Sequence, residues 1–96
     1  MTFVLLRIYS SKEENLRDYL LSFIREDIKN VTVLQAIAGF GKGRKFHSED
    51  VEILSHELPI VIEAVDKREK LLKFLENNKH LFYECYLTFE RVEIWE

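Results

Sequence analysis

Residues 58–65, LPIVIEAV, are apolar at every position except Pro59 and Glu63. A run this short and this rich in β-branched residues reads as a strand. Being apolar on both faces, it needs cover on both, which places it inside a sheet and not at an edge. Pro59 stands near its start, where a missing ladder N–H is tolerated. The rest of the chain has to supply this strand with neighbours and with a layer to cover it.

Residues 3–9, FVLLRIY, set Val4, Leu6 and Ile8 on one face and Phe3, Leu5, Arg7 and Tyr9 on the other, the period of a strand. Ser11 with Glu14 predicts a capping box, opening a helix whose apolar stripe is Leu16, Tyr19, Leu20, Phe23 and Ile24. Residues 31–38, VTVLQAIA, are β-branched enough for a second strand. Asp66 with Glu69 repeats the cap pattern before a helix that buries Leu71, Leu72 and Leu75, and residues 77–79, NNK, form its stop. HLFYECYLTF and RVEIW, aromatic and β-prone, predict a last strand with room for a short one ahead of it. The order is βαββαβ. With right-handed crossovers it yields an α+β, ferredoxin-like sandwich: a four-stranded antiparallel sheet with both helices on one face. The expected organisation is one domain over residues 1–96.

Helices on one face leave the other face open. Phe3, Leu5, Arg7 and Tyr9 of the first strand, Val61, Glu63 and Val65 of the third, and Glu93 and Trp95 near the end are its expected members, with Arg7 placed to pair with Glu63. An apolar patch of this size on a small protein marks an interface, so a homo-oligomer with its open faces turned inward is expected. A face assignment slipped by one residue would invert every side chain.

Charge narrows the partners. Residues 1–38 carry five basic and five acidic side chains, 39–48 carry three basic and none acidic, and 49–96 carry six basic and twelve acidic, which sums to the net −3 of the chain. Positive charge confined to one segment suits a small anion better than a nucleic acid, which is gripped over a broad basic face. The start, MTFVLLRIYS, is apolar only briefly and is interrupted by Arg7. It has neither the length of a membrane span nor the flank and cleavage site of a signal peptide, and a lone cysteine, Cys85, allows no intrachain disulfide. A cytoplasmic protein is expected.

The three positive charges, Lys42, Arg44 and Lys45, are interleaved with Gly39, Gly41 and Gly43, all the glycine the chain has. Glycine lets backbone N–H groups approach an anion, and the cations add charge-assisted contacts. The pattern is neither a P-loop nor a dinucleotide fingerprint, and a solvated hairpin tip is the plain alternative. His47, His56, His80 and Cys85 lack metal-ligand spacing, so no metal is expected. Cys85 reads as a small buried hydrophobe. Asp18, Glu26 and Asp27 read as a solvated helix surface, and Glu49, Asp50 and Glu52 as a solvated excursion after the glycines. Glu63 reads as a partner of Arg7 or as an acceptor for a ligand.

LLRIY (5–9), AIAGFG (36–41), HS (47–48) and LPIVIEAVD (58–66), in this order and spacing, resemble the uncharacterised PII-like family known as domain of unknown function 190. The resemblance spans nearly the whole chain. It implies a ferredoxin-like subunit that assembles as a homotrimer, with a glycine-containing loop between strands two and three in the position of the PII T-loop. It further implies a non-catalytic signalling protein that binds a nucleotide, commonly an adenine nucleotide (ADP, AMP or ATP), between subunits and signals through a loop that a protein target reads. Carried over, the ligand residues are Gly39, Phe40, Gly41, Lys42, Arg44 and His47, with Lys45 added from its charge. PII proteins proper hold triphosphate on a second glycine-rich loop, where this chain has NNKHLFYECY, without glycine. A module that displays its loop to a protein without a small ligand is the alternative, and RNA binding through the open sheet is a third.

Overall fold

The computed structural model describes residues 2–37 and 59–95. Four strands, β1 (Phe3–Ser10), β2 (Asn30–Gln35), β3 (Ile60–Lys67) and β4 (Tyr86–Val92), and three helices, α1 (Leu16–Arg25), α2 (Arg68–Asn77) and α3 (Lys79–Phe82), follow in the order β1 α1 β2 β3 α2 α3 β4. The sheet runs β2-β3-β1-β4 and is antiparallel throughout. β3 is thus internal, as its double-sided apolar pattern requires, and the architecture is the ferredoxin-like one.

Register fixes the faces. Val4, Leu6 and Ile8 of β1, with Ile60, Ile62 and Ala64 of β3, are buried under the helices, while Phe3, Leu5, Arg7, Tyr9, Val61, Glu63 and Val65 share the opposite face. α1 contributes Tyr19 and Phe23 to the core, and α2 contributes Leu71 and Phe74. Phe23 stacks on Phe74 with ring centroids 4.4 Å apart, and Phe82 of α3 closes the cluster at 5.2 Å from Tyr19 and 5.7 Å from Phe74. Each such side chain contributes roughly 1.5–3 kcal/mol through the apolar area it removes from water.

Several local expectations are corrected. Ser11 caps nothing: a 3₁₀ turn over Glu13–Asn15 precedes α1, and Ser10, one residue earlier, accepts the Lys12 N–H on its Oγ at 3.0 Å. Asp66 lies within β3, not at a helix cap, and its carboxylate accepts the Lys67 N–H at 2.7 Å while pairing with Lys70 at 3.4 Å. Ile24 is 70 % exposed and Leu72 is 38 % exposed, so Phe74 takes the core position assigned to Leu72. HLFYECYLTF is not all strand: α3 takes its first three residues, and the strand begins only at Tyr86.

Asp27 does not sit on the surface of α1 but ends it. It adopts φ 56°. The Ile28 N–H reaches back to the Phe23 carbonyl at 3.0 Å, and the Asp27 N–H to that of Ile24 at 3.1 Å. This is the left-handed stop that glycine usually provides, with buried Ile28 as its apolar anchor. Glu26, beside it, ties the two long helices together by accepting from the side-chain amides of Asn77 (3.0 Å) and Asn78 (2.6 Å).

Candidate functional site

Gly39, Phe40, Gly41, Lys42, Arg44, Lys45 and His47 lie outside the described residues, as do His56, Glu49, Asp50 and Glu52. What the fold defines is the place from which residues 38–58 depart and to which they return. The Ala36 N–H donates to the Pro59 carbonyl at 3.1 Å, directly beyond the Gln35–Ile60 pair of β2 and β3. Ser10 pairs with Ile60, and Tyr9 with Tyr86, so the end of β1 and the start of β4 reach the same end of the sheet.

Beside this end a cleft of about 360 Å³ lies between the β1–α1 connection and the α3–β4 turn. On its floor the Ser10 and Tyr19 hydroxyls are 2.9 Å apart, and Cys85 Sγ lies 3.8 Å from the Tyr19 oxygen. Burial pushes the Tyr19 phenol above its ordinary pKa, against the lowering effect of hydrogen bonds with Ser10 and Asn15. Cys85 is half-buried, packs against the core and precedes β4, a place consistent with a small apolar side chain. At the rim Lys12 ion-pairs with Glu84, whose other oxygen accepts the Tyr83 O–H at 2.9 Å. Hydrogen bonds from Lys12 and then Tyr83 hold the Glu84 carboxyl below the usual range. His80, on α3, also lines the cleft. Tyr19→Phe removes one hydroxyl from a buried pair and is expected to cost about 1–3 kcal/mol in urea unfolding.

On the open face Arg7 lies between two strands. Its Nε donates to Glu63 Oε2 at 2.9 Å, as the sequence predicts, and its Nη1 donates to Glu90 Oε2 at 2.9 Å. Glu63 and then Glu90 raise the guanidinium pKa further. Sequence reasoning misses Glu90 because it placed Glu93 and Trp95 on this face. β4 ends at Val92, and its open-face members are Tyr86, Thr88, Glu90 and Val92, opposite Tyr9, Arg7, Leu5 and Phe3. The signal was the parity of YLTFERV, hidden by an uncertain strand start. Trp95 follows the strand and is 98 % exposed. Tyr86, 70 % exposed, lies 5.9 Å from the ring of Tyr9.

Among the described residues no three of His, Cys, Asp and Glu gather as metal ligands, and no helix is long and apolar enough to cross a membrane.

Comparison with known proteins gives this geometry a family. The model of the DUF190 family (Uncharacterized ACR, COG1993) matches residues 3–94. A UPF0166 protein of Aquifex aeolicus is 62% identical over 93 residues, covering 97% of each chain. A second from the same organism is 35% identical over 96 residues, covering 94% of this chain and 90% of the other. Among solved structures, CPII of Thiomonas intermedia K12, a nitrogen regulatory PII-like protein bound to ADP, AMP and bicarbonate, superposes with a TM-score of 0.72. That match covers 100% of this chain and 96% of CPII at 16% identity, a likeness of fold alone. The chain belongs to the DUF190 family, and its fold is that of the PII-like signalling proteins.

Proposed function

We propose that this protein is a PII-like regulator, a homotrimer that binds an adenine nucleotide or another small anion at Gly39, Phe40, Gly41, Lys42, Arg44, Lys45 and His47. The observation that carries the reading is fold-level: a PII-like protein solved with ADP and AMP shares the fold along its whole length. Two features of this chain support it. The glycine- and cation-rich segment falls between β2 and β3, where the Ala36–Pro59 hydrogen bond brings its flanks together. The open face combines apolar side chains with an Arg7–Glu63–Glu90 cluster, a surface suited to a second and a third copy. Nucleotide binding would order the segment that a protein target reads, and releasing the nucleotide would free it. No reaction is assigned to it.

By the family resemblance, the second glycine-rich loop of PII proteins proper would fall between α2 and β4, where this chain has α3 and no glycine, a difference that favours a smaller or differently held nucleotide over a triphosphate. Thermal unfolding against AMP, ADP, ATP and phosphate, after the mass of the assembly is measured, tests the reading. A ligand at about 100 times its dissociation constant adds about 2.7 kcal/mol per site, which raises the melting temperature by several degrees. The double variant Lys42→Ala, Arg44→Ala is expected to lose that shift and keep its mass. A trimer unmoved by any nucleotide would favour a module that displays the segment to a protein without a small ligand.

A further inference from the structure

The cleft between the β1–α1 connection and the α3–β4 turn already holds a carboxylate, its own. Glu84 has one oxygen on Lys12 Nζ and the other on the Tyr83 hydroxyl, 2.9 Å away, so two donors grip the two oxygens separately. Among the described residues lining the cleft, Glu84 is the only acid and Lys12 the only permanent cation. The remaining polar lining includes Ser10, Ser11, Asn15, Tyr19 and His80, each of which can donate.

The floor has a donor to spare. Ser10 Oγ accepts the Lys12 N–H, and the Ser10 and Tyr19 hydroxyls share one hydrogen bond in which either can donate. When Tyr19 donates to Ser10, the Ser10 proton is free for the cleft, and the Cys85 S–H turns toward the phenol oxygen 3.8 Å away. When Ser10 donates to Tyr19, the phenol proton turns toward Cys85 and none is offered. In both arrangements the Ser10 and Tyr19 oxygens stay hydrogen-bonded, with Asn15 beside the phenol, so these groups suit an occupied and an empty cleft.

We infer that this cleft is a site for a small carboxylate anion, and that Glu84 occupies its donors until such an anion displaces it. The side chains of Lys12 and Glu84 are each nearly half exposed, so the pair that closes the site is weak enough for a ligand to open. The site is built from described residues alone, and its test is independent of the nucleotide reading.

The test is an NMR titration of the full chain with sodium acetate, against sodium chloride at matched ionic strength. In the unaltered protein, acetate is expected to shift the amides of Ser11, Lys12, Glu84 and Cys85, with no such shifts in chloride. Glu84→Gln keeps the size and removes the competing charge, and it is expected to lower the apparent Kd for acetate about 1.4-fold to fivefold, the range an exposed ion pair commands. Adding Lys12→Met to Glu84→Gln should abolish the effect. The Lys42→Ala, Arg44→Ala variant should bind acetate as the unaltered chain does, which separates this site from the glycine segment. An unchanged Kd in Glu84→Gln, binding that survives Lys12→Met, or shifts centred on residues away from the cleft would each overturn the inference.

Discussion

Replacing Phe74 by alanine is expected to lower the unfolding free energy by about 3–5 kcal/mol, the cost of a deleted aromatic and the cavity it leaves. Phe74 is fully buried and sits between Phe23 and Phe82, so the void would open where α1, α2 and α3 meet. For a chain of 96 residues this is a large share of the roughly 5–15 kcal/mol that such domains possess. Chemical denaturation followed by circular dichroism measures it directly. Leu72→Ala, one turn edge away on the same helix, is the matched control. Its side chain is 38 % exposed and outside the buried core cluster, and the expected loss is well below that at Phe74, about 1 kcal/mol. Equal losses at the two positions would mean that the stripe of α2 faces elsewhere than described.

If the open face joins the subunits of the proposed trimer, Leu5→Asp is expected to give monomers while leaving each subunit folded. Leu5 stands in the middle strand of the open face, paired with Val65 on one side and Glu90 on the other. In a free subunit an aspartate there meets water. Against a second copy it would be a buried, unpaired charge, which costs several kcal/mol per interface. Its neighbour Leu6 points the opposite way and is fully buried, so Leu6→Asp should unfold the subunit outright. Two adjacent residues thus give two distinct failures, separable by sedimentation velocity and circular dichroism. A Leu5→Asp protein that keeps the mass of a trimer would show that the open face is not the interface.

Legibility in the sequence followed physical simplicity. β1 and β3 were readable because a strand buried on one or both faces writes its period in side chains that cannot be exchanged. The Arg7–Glu63 pair followed from that period. Helix starts were misread. Ser11 with Glu14, and Asp66 with Glu69, have cap spacing, but whether a hydroxyl or carboxylate reaches a free N–H depends on where the preceding strand lets go. β1 and β3 both run further than expected, to Ser10 and Lys67. The aromatic run after α2 was ambiguous for a related reason. Phe82 serves a helix–helix contact and Leu87 a sheet, yet both are apolar residues in a β-prone neighbourhood. The glycine segment was identified by composition and by likeness to a family, and neither source states geometry. The cleft at Ser10, Tyr19 and Cys85 could not be found from sequence at all, because its members are 9 and 66 residues apart and meet only through the fold.

The sheet order also sets a timetable for synthesis. β1 is made first, but both of its partners come from the far half of the chain. Arg7 waits 56 residues for Glu63 and 83 for Glu90. At typical elongation rates of about 5–20 residues per second, the second wait lasts roughly 4–17 s. Until β3 is made, β1 has an apolar face and two unpaired edges, and the edge that receives β4 stays open for the whole of the second wait, a state open to pairing with the wrong chain. Contacts this distant also make for slow folding once the chain is released. Arg7, a lone cation in the middle of that strand, is charged from the moment it is made, and until its two glutamates arrive it keeps one emerging strand from associating with another.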